Sequence, residues 1–230
     1  MPRQQSGFTL VEIAIVLVII GLLLGGVMKG QELVNSAKVK NLANDFRNVP
    51  LFIYGYQDKF KALPGDDANV TSTHLGSTVN GVAVVAATTP AGKQGNGVID
   101  GAWNSTTVSD ESVLFWQHVR LAGLAAGPTT APTAATLNDF LPKNVDGNLI
   151  GITAGANSPI SGLSGTYVVC SQGILGKFAK QLDLLLDDGD PGTGAMRFML
   201  NQAANQTAAV QAVTAATFDA DASYTVCMAI

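Results

Sequence analysis

The chain has 230 residues, 13 Lys plus Arg against 17 Asp plus Glu, a formal net charge of −4, and only 13% charged residues. From Leu51 onward 14 acidic residues stand against 8 basic ones, so no basic patch marks a nucleic-acid interface and no nucleic-acid partner is expected. Gly-x-Ser-x-Gly, His-Glu-x-x-His and the phosphate-binding loop are missing from the sequence, which points away from an enzyme.

The first predicted element is apolar. Phe8–Met28 is a run of 21 residues in which Glu12 is the sole charge. At ~1.5 Å per residue a helix of that length spans roughly 30 Å, the thickness of a bilayer's hydrocarbon core. Helix is also the single-segment solution that satisfies every backbone hydrogen bond in lipid. Arg3 and the amino terminus precede the run and Lys29 follows it. The positive-inside tendency then places a short leader in the cytoplasm and the bulk of the chain across the membrane. In an ordinary secretory signal a small-residue cleavage site follows the apolar stretch. Here the small residues Ser6-Gly7 precede it. A cut after Gly7 removes the leader and leaves the apolar helix on the mature chain.

Glu12 is the anomaly in this run. An ionised carboxylate within an apolar membrane segment costs about 2–3 kcal/mol or more, and such groups usually have a partner. A cut after Gly7 creates a positive amine on Phe8, four residues away. The bland alternative is that Glu12 lies near the membrane surface and snorkels into water.

The stretch "GFTLVEIAIVLVIIGLL" resembles the prepilin leader of type IV pilins and of the related type II secretion pseudopilins. That resemblance implies cleavage by a prepilin peptidase between Gly7 and Phe8 and N-methylation of Phe8. It also implies that Glu12, fifth residue after the cut, pairs with the terminal amine of a neighbouring subunit in a growing filament. The partners implied are copies of the chain itself, the prepilin peptidase, an inner-membrane assembly platform and the membrane. The implied location is the bacterial inner membrane before assembly and an extracellular pilus filament afterwards. A periplasmic pseudopilus is the alternative. A third reading is a membrane-tethered periplasmic binding or enzymatic domain that carries the same leader.

Past the membrane segment, Val39, Leu42, Phe46, Val49, Ile53, Tyr56 and Phe60 are spaced 3, 4, 3, 4, 3, 4, one apolar stripe on a continued helix. The stripe is read as the face that packs on the protein's own sheet. Pro50 removes one backbone bond and predicts a kink near Phe46–Pro50. Pro64-Gly65 in "ALPGDDA" predicts the helix end, since the residue before a proline disfavours helix. The expected organisation is therefore a leader at 1–7, a long helix at 8–63 with its membrane or filament-core part at 8–28, and a globular head at 64–230.

Residues 65–110 read as loop-rich, with one short apolar run at Val82–Ala87. "DESVLFWQHVRLAGLAAG" reads as a helix with Asp110 and Glu111 at its start and Leu114, His118, Leu121 and Ala125 on one face. His118 is read as a core histidine, and His74 as a loop residue without a second ligand. Pro128–Thr136 reads as a surface loop, and "NVDGNLIGI" as a hairpin turn into a strand. "GTYVVC" (Gly165–Cys170) and "ASYTVCMAI" (Ala222–Ile230) read as two strands that echo each other.

Cys170 and Cys227 are the only cysteines and sit at the same place in those two strands. In an exported domain they are expected to form a disulfide. The other reading is two buried free thiols. A C-terminal disulfide is also what the resemblance to type IV pilins implies. The fold class expected is thus α+β and pilin-like, with a long N-terminal helix packed on an antiparallel β-sheet. Between the cysteines, a helix at Leu175–Leu186 runs into Asp187-Asp188-Gly189-Asp190-Pro191. Asp187, Asp188 and Asp190 are hard oxygen donors on a flexible loop, the type of site calcium takes. The competing reading is an acidic turn. No other cofactor is expected. "LPGDDA", "GVIDGAWN" through "LAGL", and "LDDGDPGTG" look like blocks of a group of Gram-negative prepilin-type proteins, and they do not choose between pilus and pseudopilus.

Overall fold

The computed structural model describes residues 10–230. Gly7 and Phe8, the expected cleavage and methylation positions, lie outside the described residues. The chain divides into two compact units, Met1–Lys38 and Val39–Ile230. Helix α1, Leu10–Phe60, contributes to both.

In the second unit α1 buries Val39, Leu42, Phe46, Val49, Ile53 and Tyr56 of the stripe expected from the spacing, with Ala43 beside them, whereas Phe60, the last member of that stripe, is half-buried. The helix continues through Pro50, with buried apolar contacts on either side at Val49 and Ile53. It ends at Phe60, and Lys61 takes a positive φ of 56°. A short π-turn at Val70–His74 follows. Next comes a small hairpin, β1 (Thr78–Val79) and β2 (Val82–Ala83). Asn80 and Gly81 both carry positive φ, as a tight two-residue turn requires.

Helix α2 (Glu111–Leu121) departs from the amphipathic expectation. Every residue from Glu111 to Arg120 is buried, polar ones included. The loops on both sides of α2 close over the face that would otherwise meet water. Backbone and side-chain groups of those loops then satisfy Gln117, whose Nε2 donates to the carbonyls of Ala83 and Thr129.

After the short helix α3 (Leu137–Phe140) come β3 (Ile150–Ala154), β4 (Tyr167–Leu175), α4 (Gly176–Leu186), β5 (Met196–Leu200) and β6 (Ser223–Ala229). The four strands form one antiparallel sheet in the order β3-β4-β6-β5. Side chains alternate between its faces. Ile150, Ile152, Tyr167, Val169, Phe198, Tyr224 and Val226 join the main core with the α1 stripe and with α2. Val168, Cys170, Met199, Cys227 and Ala229 form a second core with Trp103, Ile160 and Leu163. The architecture is α+β and pilin-like, with the expected long helix, antiparallel sheet and disulfide. Strand β5 was not anticipated, although Met196 and Phe198 alternate inward in "MRFML".

Candidate functional site

The first candidate is the apolar surface of α1 in the first unit. Among the described residues one helix is long and apolar enough to cross a membrane. Its large apolar side chains are exposed, from Ile20 at 46% to Leu10 at 91%. A contiguous apolar surface of this kind requires lipid or another apolar helix against it. Glu12 sits on this surface, exposed, in the first turn of α1.

The "LPGDDA" segment builds a buried polar network rather than an open site. Tyr56 donates its hydroxyl to Asp67 Oδ2 at 2.8 Å, and His74 Nδ1 lies 2.7 Å from the same oxygen. Asp66 accepts backbone N–H groups from Gly95, Asn96 and Gly97 at 2.6, 3.1 and 2.7 Å. The N–H of Gly65 donates to His118 Nδ1 at 2.9 Å, and His118 Nε2 donates to the Val85 carbonyl at 2.8 Å. Those two bonds specify the neutral tautomer, and burial pushes the imidazole pKa down. His118 is a core histidine tying two loops together. Gly65 has φ +90°, and a Cβ there would lie 2.4 Å from the Glu111 carbonyl oxygen, so only glycine fits. A cleft of about 680 Å³ opens beside Phe60, Asp66, Asp67, His74 and Tyr167. Both of its aspartates are already committed to protein donors, which makes them wall rather than reagent.

Glu111 completes this region. Its Oε2 accepts the Asp100 N–H at 2.8 Å, while its buried Oε1 has no hydrogen-bond partner. Burial pushes its pKa from 4.5 up to about 7, and the negative charges of Asp66, Asp100 and Asp110 add to the rise. A raised folded-state value means that the folded chain holds this proton more tightly than the unfolded chain. The contribution is intact below about pH 4.5 and is lost as pH rises through about 7. Glu111→Gln is therefore expected to raise the melting temperature by several degrees at pH 8 and to change it little at pH 4.5. Thermal unfolding of both proteins at the two pH values checks this. An equal shift at both would remove the titration from the account.

The third candidate is the acidic loop after α4. Ligand atoms of Asp183, Asp187 and Asp188 all lie within 4.8 Å of one another. Asp183, on α4, is fully buried, and beyond a backbone interaction with Gly189 its carboxylate oxygens have no hydrogen-bond partner among the described residues. Burial raises its pKa to about 7, reinforced by Asp188 and Asp187. Asp187 accepts the Met196 N–H through Oδ2 at 2.7 Å. Asp188 is bonded by the Asp190 N–H at 2.8 Å and the Thr193 hydroxyl at 2.7 Å. Of the three aspartates expected from the sequence, Asp187 and Asp188 fall in this triplet. Asp190 does not, and its Oδ1 accepts the Gly192 N–H at 2.9 Å. Asp183 takes the third place. Its spacing to Asp187, i to i+4 across a helix end, was the signal in the sequence.

The cysteines come together as expected. Cys170 and Cys227 are directly opposite in the β4–β6 register and form a disulfide. Both are fully buried in the second core.

Residues 2–28 match a family model described as the prokaryotic N-terminal methylation motif. The motif is of the kind carried by type IV pilin-like proteins and pseudopilins, and it covers the N-terminal segment of the chain rather than the head. It fits membrane anchoring before assembly, and processing and filament assembly in general terms. No curated protein and no solved structure matches the chain.

Proposed function

We propose that this chain is a structural subunit of a type IV pilus. It is inserted in the inner membrane, cut between Gly7 and Phe8 by a prepilin peptidase, methylated on Phe8, and polymerised through α1 and Glu12. The observation that carries this reading is a methylation motif at residues 2–28 that leads into a helix whose apolar side chains are exposed. Before assembly that surface lies in lipid. Afterwards the same surface on neighbouring subunits replaces the lipid, so no apolar area returns to water. On this reading residues 1–7 are the leader, 8–63 the filament helix and 64–230 the head. An inner-membrane assembly platform supplies the work.

Mass spectrometry of filaments sheared from the cell surface tests it. The expected result is an abundant chain whose N-terminal peptide begins with methylated Phe8. A chain processed at Phe8 but confined to the envelope would replace the pilus with a periplasmic pseudopilus of a type II secretion system. An unprocessed Met1 terminus would refute both.

A further inference from the structure

We infer that Asn69 is the attachment site of an N-linked glycan, transferred to its side-chain nitrogen Nδ2 once the head has crossed the membrane. Asn-x-Ser/Thr, with x other than proline, is the acceptor pattern for such a transfer. The sequence holds it three times, at Asn69-Val70-Thr71, Asn104-Ser105-Thr106 and Asn205-Gln206-Thr207. A triplet so short arises often by chance, so the surroundings of each asparagine have to choose among the three.

Two of the three are spent on the fold. Asn104 is buried, its Nδ2 donates to the Ala203 carbonyl at 2.7 Å, and its Oδ1 accepts the Gln206 N–H at 2.8 Å. Asn205 is exposed, but its Nδ2 donates to the Thr106 hydroxyl and its Oδ1 accepts the Thr106 N–H, both at 2.6 Å. Each motif consumes groups of the other. A sugar on either nitrogen would break the contact between the two loops and leave its partners unsatisfied.

Asn69 stands apart from them. It is exposed, between exposed Ala68 and buried Val70. Its main chain carries the local structure: the N–H donates to Asp67 Oδ1 at 2.9 Å, and the carbonyl accepts the N–H groups of Ser72, Thr73 and His74 at 3.2, 3.1 and 3.2 Å. Its side chain makes no capping hydrogen bond to the π-turn that it precedes. Among the hydrogen bonds of the described residues none uses the Asn69 carboxamide or the Thr71 hydroxyl, the two groups that the acceptor motif requires. Backbone bonds and buried Val70 thus fix the position, while the reacting amide faces solvent. Asn69 also lines the cleft of about 680 Å³ beside Phe60 and His74, so a sugar on Nδ2 has room to lie against the head.

The co-reactant is a glycan carried on a polyprenyl pyrophosphate in the membrane. Asn69 Nδ2 forms a bond to the anomeric carbon of the first sugar. The bond from that carbon to the pyrophosphate oxygen breaks, and its electron pair leaves with the polyprenyl pyrophosphate. One Nδ2 proton passes to a base of the transferase, and nothing is oxidised or reduced. The inference needs only an exported head, in a pilus or in a pseudopilus.

The test is mass spectrometry of proteolytic peptides from the full chain, purified from the cells that naturally make it. The expected result is a peptide spanning Asn69 with a mass increment that fragments into sugar ions, while the Asn104 and Asn205 peptides stay bare. Asn69→Gln and Thr71→Ala should each abolish the increment, and Thr71→Ser, which keeps the hydroxyl, should retain it. Thermal unfolding of the three variants checks that each is folded. A bare Asn69 peptide in the wild-type chain would overturn the inference. So would a glycan that persists in folded Thr71→Ala, or one carried on Asn104 or Asn205 instead. The N-terminal peptide of the same digest keeps this apart from the proposed function. A chain cut before Phe8 with bare Asn69 removes the glycan alone, whereas an uncut chain with a glycan on Asn69 removes the filament subunit alone.

Discussion

Glu12→Ala is expected to leave the chain inserted and cut after Gly7 while reducing its recovery in sheared filaments by at least ~10-fold. The reason lies in which state needs the carboxylate. In the single subunit a charge in an apolar helix is a penalty of about 2–3 kcal/mol or more, so alanine makes the membrane-inserted monomer more stable. In the proposed filament the carboxylate meets the Phe8 amine of a neighbour, where two charges in an apolar core neutralise each other. Removing one of them leaves the other buried and unpaired, and breaking such a pair is typically worth 3–5 kcal/mol. A ten-fold loss needs only ~1.4 kcal/mol per subunit contact. The measurement is the ratio of cut chain in membranes to cut chain in sheared filaments, wild type against variant. A membrane-tethered domain that only borrowed the leader would keep its function in the variant. Normal filament yield with Glu12→Ala would dismiss the pairing as the basis of assembly.

The parts of this molecule that were legible in the sequence are those governed by local periodicity. The Val39–Phe60 stripe needed only the 3.6-residue repeat, and the core takes it as far as Tyr56, leaving Phe60 half-buried at the helix end. The two Tyr-x-Val-Cys strands were legible because alternation and β-branching act within a few residues, and their register opposes Cys170 to Cys227. What was not legible depends on contacts distant in sequence. Helix α2 reads as amphipathic, yet Gln117 and Arg120 are buried because the carbonyls of Ala83, Thr129, Pro128 and Phe140 come to them. No periodicity announces those partners. The same holds for the acidic loop. Its run of aspartates was conspicuous, but the buried carboxylate of the group is Asp183, four residues upstream of Asp187 and hidden in an ordinary helical pattern. Polar residues are placed by whatever satisfies them, and the satisfying groups here lie up to about a hundred residues away, as with Trp103 donating to Gln206.

Removing the disulfide is expected to lower the unfolding free energy by about 4 kcal/mol. The bridge joins residues 57 positions apart, and a loop of that length confines the unfolded chain by roughly 4 kcal/mol in the chain-entropy account. That is a large share of the ~5–15 kcal/mol that a domain of ordinary stability has in hand. The position adds to the effect. Cys170 and Cys227 are fully buried on the sheet face covered by Trp103, Ile160 and Leu163. Replacing both by alanine therefore also leaves the space of two sulfur atoms in a packed core. The test is denaturant unfolding of the full chain in detergent, oxidised, reduced and as the Cys170→Ala/Cys227→Ala double variant. Reduced and double-variant proteins should unfold at clearly lower denaturant than the oxidised one. The double variant should be the least stable of the three, since it loses packing as well as the cross-link. A second readout separates burial from cross-linking: in the folded chain the bridge should resist a thiol reductant until opening conditions are reached, because neither sulfur meets solvent. If all three forms unfolded within ~1 kcal/mol of one another, the unfolded chain would already be held compact across β4 and β6 without the bridge, and the loop-closure account of its stability would fail.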